Sequence, residues 1–486
     1  MEFFLSYIPD GIIPIFSMIV AILYVCISIA AALHILFHKN DVRSSIGWIA
    51  LVFLSPFFGT IAYILFGINR VSRKAVKLNK RNISQNARTY QVIKKNLPMS
   101  SIYANQFIAY GRNVYQQEFC DNNAIKPLQN GTEAYPEMLA AIKAAKKEVL
   151  VESYIFDSDD ETDKFIEAFK IAAQNGAQIK VLIDGVGTLK FFRRNIEKKL
   201  KTIKNLKYAV FLPPLIPIAF PFLNMRNHRK IMAIDGQVSF FGGMNLSKEN
   251  VLIDDIKKAV LDITFRVEGP LIDQILQVFE SDWEFATRKP FEACHYISSG
   301  QNEQNIPARV IANGPDNKNN VMDLIIHGAV NFAIKRIVIV TPYFLPENHI
   351  LTSLEMAAMK GVSVEIIIPE VNDHPIMRWA EQYNFRRLTQ RGVKIYRTHP
   401  PFDHSKIFII DDEWAFIGSA NWDVRSFRLH FEANIELFDK NLVKQLFQIA
   451  QKKKEKAQIV TIEYCKKAGF FKRLRTNACH LLTPYY

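Results

Sequence analysis

Cysteine is scarce. The 486 residues hold five, at 26, 120, 294, 465 and 479, an odd number with no C-x-x-C pair. This excludes a disulfide framework or a thiolate zinc site and fits a reducing compartment. There is no H-E-x-x-H and no carboxylate cluster of the kind that holds a catalytic metal, so neither metal nor cofactor is expected. Charge is missing in two long stretches, Gly11 to Phe37 and Ser44 to Asn69. The opening "MEFFLSYIPD" carries Glu2 and Asp10 but no Lys or Arg, so it lacks the positive n-region of a cleaved signal and the first run is expected to stay.

Each uncharged run is long enough to cross a hydrocarbon core, which takes about 20 helical residues. Pro14 and Pro56 are tolerated in such helices. The expectation for residues 1–70 is therefore a two-helix transmembrane hairpin with spans over 11–37 and 45–68. Arg70, Arg73, Lys74, Lys77, Lys80 and Arg81 follow the second run, whereas the loop holds only Lys39 and Arg43. Positive flanks are retained inside, which places everything after residue 70 in the cytoplasm. The formal net charge of +14 then suits anionic lipid, and no nucleic acid partner is expected.

Residues 71–115 are basic, rich in Asn and Gln, and lack a strong period; they read as a linker. From there the grammar is α/β. "AYPEMLAAIKAAKKEVLVESYIF" is an amphipathic helix followed by an apolar strand, and "TDKFIEAFKIAAQNGAQIKVLIDGVG" repeats it through an Asn-Gly turn. "LIIHGAVNFAIKRIVIVTPYFLP" and "ILTSLEMAAMKGVSVEIIIPE" return to the same pattern, so that Tyr154 answers Tyr343 and Gly176 answers Gly361. The reading is a tandem duplication, over 116–310 and 311–455, of one α/β sandwich unit, related by a pseudo-twofold axis and followed by a basic amphipathic tail over 456–486.

The chemistry lies in a doubled motif. "NHRKIMAID" and "DHSKIFIID" place His228, Lys230 and Asp235 against His404, Lys406 and Asp411, each pair 176 residues apart, and Asn245 and Asn421 keep the same offset. On a strand, residues i and i+2 share a face, so each His and Lys project together. Asp235 and Asp411 belong to the candidate catalytic motif, yet they have the opposite parity and stand at turns, where an aspartate shapes the backbone. Asn245, Ser419 and Asn421 return toward the site as candidate phosphate-binding or supporting residues. Two imidazoles allow one to attack phosphorus while the other protonates the leaving oxygen, and lysines with amides suit the charge that develops. A protonated Lys beside each His is a poor neighbour for a divalent cation. Each His needs an orienting acid; Asp262 is assigned to His228 and Glu432 to His404.

These stretches, with "ESYIF", "VLIDGVG", "TPYFLP", "HSKIFIIDDEWAFIGSANWDVRSF" and the span ending "PFFGTIAYILFGINR", resemble the phospholipase D superfamily, and in particular bacterial cardiolipin synthases of the two-span type. The ending "HLLTPYY" departs from that pattern, where an apolar Leu-rich end is more usual. The resemblance implies a multi-pass inner-membrane enzyme that joins two phosphatidylglycerol molecules into cardiolipin and glycerol, without metal or nucleotide. It also implies His228 as the phosphohistidine and His404 as acid and then base. The alternatives are a hydrolytic phospholipase D, a phosphodiesterase or nuclease of the same superfamily, and a non-catalytic membrane scaffold. Two further features suit a lipid substrate. "FLPPLIPIAFPFL", residues 211–223, is uncharged and holds four prolines, and reads either as an apolar rim or as a buried loop. The stretch from Lys452 to Arg475 carries nine Lys/Arg interleaved with aromatics, and reads as lipid-facing or as a solvated helix.

Overall fold

The second apolar run does not form one helix. A computed structural model describes residues 12–39, 41–67, 102–188, 190–213, 225–251, 255, 257–291, 303–315 and 320–483. The chain divides into two compact units, Met1–Arg73 and Lys74–Tyr486. In the first, α1 (Ile12–His38) includes a 24-residue stretch of mean hydropathy 2.6, long and apolar enough to cross a membrane. The run expected to span over 45–68 instead gives α2 (Val42–Leu54), α3 (Pro56–Ala62) and a π-helical turn, Tyr63–Gly67.

The cause is local. Ser55 leaves the helical region with φ −147°, and Pro56 at the start of α3 has no N–H to continue the ladder. Gly59 then packs on the Leu51 carbonyl, where a Cβ would collide, so α3 folds back along α2. Tyr24 Oη reaches the Phe53 carbonyl at 3.5 Å and Ser28 Oγ the Val52 carbonyl at 3.5 Å, near the middle of α1. Tyr63 Oη returns to His34 Nδ1 at 2.8 Å, and its ring meets Trp48 at 5.5 Å. The second run thus lies along the C-terminal half of α1 and turns back on itself.

In the second unit, α4 (Ile102–Val114) occupies the end of the stretch expected to be linker. Its Phe107 and Ile108 are buried, and Phe107 packs on Trp414 and Phe438. The first half supplies β1 (Cys120–Gln129), β2 (Glu148–Ser153), β3 (Gln178–Asp184), β4 (Leu206–Phe211), β5 (Ile231–Ile234), β6 (Val238–Gly242) and β7 (Ile263–Glu268). The second supplies β8 (Ile306–Asn313), β9 (Arg336–Val340), β10 (Ser363–Pro369), β11 (Lys394–Thr398), β12 (Ile407–Ile410), β13 (Trp414–Gly418), β14 (Glu432–Phe438) and β15 (Ala457–Ile459).

All fifteen join one sheet in the order β15-β11-β10-β9-β12-β13-β14-β8-β1-β7-β6-β5-β2-β3-β4. Outward from the β8–β1 contact each half repeats the same succession, with parallel strands at the flanks and antiparallel ones centrally. The expected boundary at 310/311 falls inside β8, and the expected tail begins as the edge strand β15. Strands buried on both faces read as unbroken apolar runs, as "IMAI" in β5 and "IFII" in β12 do. Gly176 and Gly361 close their helices at φ +95° and +94°, the left-handed cap that glycine takes without strain.

Candidate active site

Both motifs sit on segments just ahead of β5 and β12 rather than on the strands themselves. The reason is that these segments pair with the opposite half of the sheet. His228 N–H donates to the Phe431 carbonyl at 2.9 Å, and His404 N–H to the Leu261 carbonyl at 2.6 Å. This places two strand-end carboxylates behind the rings with exchanged partners. His228 Nδ1 lies 3.1 Å from Glu432 Oε1, and His404 Nδ1 lies 2.8 Å from Asp262 Oδ2. The assignment of Asp262 to His228 and Glu432 to His404 is therefore corrected: each histidine is held by an acid from the other half. Sequence proximity suggested the wrong pairing, because the crossover is made by backbone hydrogen bonds between halves.

The two rings face each other at 6.3 Å between centroids and 80° between planes, and both line a cleft of about 140 Å³. Their surroundings differ. Glu432 accepts from Ser419 Oγ at 2.5 Å and Ser426 Oγ at 2.7 Å. Burial pushes its carboxyl up, but the neighbouring His228 and His430 imidazoles together hold it below the usual range. Burial lowers the His228 imidazole to about 3, so the ring is neutral and donates Nδ1–H to an ionised carboxylate. That leaves a lone pair on Nε2. His404 is likewise lowered, by burial and then by Lys406 and Lys230. Its Nδ1 lies between two partners, the Asp262 carboxylate and the Lys406 ammonium at 3.0 Å. Burial raises Asp262 to about 6, and it lowers Lys230 to about 7 and Lys406 to about 8. Lys230 Nζ donates to the His228 carbonyl at 2.7 Å, and Lys406 Nζ bonds the His404 carbonyl.

The motif aspartates are elsewhere. Asp235 and Asp411 sit in the left-handed region at φ 52° and 54°, at the far ends of β5 and β12. Asp235 accepts from the N–H groups of Lys146, Lys147 and Glu148 within 2.9 Å. Asp411 does the same for Ile334, Lys335 and Arg336 at the start of β9. They tie hairpin to neighbouring strand and belong to the scaffold, so their place in the catalytic set is withdrawn. Ser419 Oγ donates to Glu432, and Ser419 is not among the residues that line the cleft. Asn245 Oδ1 accepts the Ile155 N–H at 3.1 Å at the cleft wall. Asn421 lines the cleft with a buried Oδ1 that has no partner among the described residues.

Comparison with known proteins fits this geometry. Residues 138–283 and 326–453 match the family described as cardiolipin synthase, PLD-like domain, and residues 26–67 match the phospholipase D-nuclease N-terminal family. The chain belongs to the cardiolipin synthase PLD-like family. The probable cardiolipin synthase YwiE of Bacillus subtilis is 29% identical over 93% of this chain and 89% of its own. The cardiolipin synthase of Halalkalibacterium halodurans is 29% identical over 99% and 95%. Among solved structures, phosphatidylserine synthase of Haemophilus influenzae shares the fold at 15% identity with TM-score 0.60, covering 78% of this chain and 99% of that one.

Several site residues of this family member escaped the sequence reading. Tyr154 and Tyr343 set their rings 5.1 Å and 6.4 Å from His228 and His404; their matched positions in the two copies were the available signal. Asn227 and Arg229, alternating with the motif residues, bond Glu152 and Asp282 in a buried network that anchors the loop. His430 stands 5.6 Å from the His228 ring, its Nδ1 3.8 Å from Glu432 and without a hydrogen-bond partner among the described residues. Donor atoms of His228, His430 and Glu432 lie within 4.8 Å of one another. An ion there would replace the His228–Glu432 hydrogen bond. The apolar rim over 211–223 lies, from Pro214 on, outside the described residues.

Proposed function

We propose that this chain is a cardiolipin synthase that transfers a phosphatidyl group from one phosphatidylglycerol to another. The observation that carries it is the unequal pair of buried histidines facing one cleft. His228, backed only by an ionised acid, attacks phosphorus through Nε2. The P–O bond to glycerol breaks, and the leaving oxygen takes the Nε2 proton of His404, while Lys406 replenishes Nδ1. The phosphohistidine then meets the hydroxyl of a second phosphatidylglycerol. His404 Nε2 takes that proton and its Nδ1 proton returns to Lys406, as the new P–O bond forms and the P–N bond breaks, giving cardiolipin. The Lys230 ammonium balances the charge on the phosphoryl oxygens. The relatives named cardiolipin synthase along almost the whole chain support this reading over hydrolysis. An approximate twofold between the halves is supported by the repeated strand succession and the exchanged carboxylates.

For the anchor, the return of the second run supports one crossing by α1 with a re-entrant hairpin. Lys39 and Arg43, between α1 and α2, then sit on the face that the positive-inside rule makes cytoplasmic.

The purified protein with phosphatidylglycerol as sole lipid is expected to yield cardiolipin and glycerol; phosphatidic acid alone would refute the synthase. A phosphoenzyme is expected to accumulate in His404→Ala and be absent from His228→Ala, with turnover down on the order of 10³-fold or more in both. The reverse trapping pattern would reassign the nucleophile.

A further inference from the structure

The chain from Tyr464 to Tyr486 holds five Lys/Arg and no carboxylate side chain. Within it, α5 (Phe470–Leu481) forms an amphipathic helix that packs against α6 (Pro375–Gln390). One side of α5 is occupied: Arg475 stacks on Trp379 at 4.4 Å, His480 on Tyr383 at 3.9 Å, and Thr476 is buried. The other side is apolar and open. Phe470 and Phe471 are 72% and 81% exposed, and Leu474, Leu481 and Leu482 extend the same face.

The placement of this face is what gives it meaning. Cys479 packs on a cluster containing Tyr343 and Met377, and those two residues also wall the catalytic cleft. Asp373 and His374 line the same cleft, and their neighbours Val371 and Ile376 are exposed. Apolar side chains therefore run from the cleft toward the helix. Lys466, Lys467 and Arg473 are exposed around them, and Lys472 lies over the Tyr464 ring. An aromatic pair beside a cationic, acid-free helix is the composition of a segment that lies in a headgroup layer.

We infer that α5 is an interfacial helix that seats the cleft on the anionic membrane surface, so that substrate enters from the bilayer without first reaching water. This rests on the lipid-substrate reading above. A protein partner would not need the acid-free charge set, whereas an anionic lipid surface matches both the charge and the exposed phenyl rings.

The full chain, reconstituted in mixed phosphatidylglycerol–phosphatidylcholine vesicles, tests this. Phe471→Trp adds an emission above that of the wild type, expected to be quenched by lipids brominated in their acyl chains; quenching by aqueous iodide alone would overturn the inference. Phe470→Ser with Phe471→Ser is expected to raise the apparent KM for vesicle lipid about ten-fold with kcat unchanged. Turnover of a short-chain, monomeric phosphatidylglycerol should not move. An unchanged vesicle KM would refute the inference. Should the double variant lose both activities through misfolding, the tryptophan quenching still decides. Should wild-type protein turn over neither substrate, the lipid-substrate reading falls while the quenching still reports the docking.

Discussion

At the scale of residues, the site is a set of buried charges whose balance sets the working pH. Asp262, raised by burial to about 6, loses its negative charge as pH falls through that value, and His404 then loses the carboxylate behind it. Lys406, lowered by burial to about 8, loses its proton as pH rises through that value, and Lys230 does so near 7. The kcat/KM profile is therefore expected to be bell-shaped, with an acid limb near 6 and an alkaline limb between 7 and 8. Asp262→Asn should abolish the acid limb and leave the alkaline one. An acid limb that survives this change would assign it to another group. The two His-x-Lys pairs were legible as a chemical unit because the four positions keep one offset. The carboxylate pairing was not, since no spacing along the chain encodes which half each acid faces.

At the scale of elements, the two motif hairpins formed as their alternation and turn residues require, and Asp235 and Asp411 closed them as the parity suggested. The second apolar run differed. Composition measures how long a segment stays apolar, whereas Ser55-Pro56 and Gly59 decide where it turns. A re-entrant hairpin leaves the two ends of the chain before and after it on one side of the membrane. Cysteine introduced at residue 2 should therefore react with an impermeant reagent from the side opposite to cysteine introduced at residue 80. Labelling of both from the same side would restore a two-span hairpin. Gly59→Leu, which places a side chain against the Leu51 carbonyl, is expected to disturb the hairpin and mix the two orientations.

At the scale of the whole molecule, the two PLD-like halves share one continuous sheet. β8 pairs with β14 of its own half and with β1 of the other, and α4 completes the second-half core from a segment that precedes the first half. Arg309 on β8 is fully buried, bonded to Glu436 at 2.7 Å and to carbonyls of Tyr115 and Gln117 at 3.0 Å. Breaking the central contact would strand those buried polar groups. Calorimetry on the catalytic part is therefore expected to show a single unfolding transition, with Glu436→Gln shifting all of it downward. Two resolved transitions would show that the halves unfold separately.

The sequence by itself determined the chemistry and its duplication: which residue types recur, at what offset, on extended segments between helices, after an apolar anchor. These follow from local rules, strand parity, helix periodicity, turn residues and the hydrophobic length of a helix. Only the tertiary structure decided which acid serves which histidine, that Lys406 and not Lys230 reaches an imidazole nitrogen, and that the motif aspartates brace β2 and β9. The physical reason is that these depend on hydrogen bonds between segments more than a hundred residues apart, where the closing of one sheet, and not any pattern along the chain, sets who meets whom.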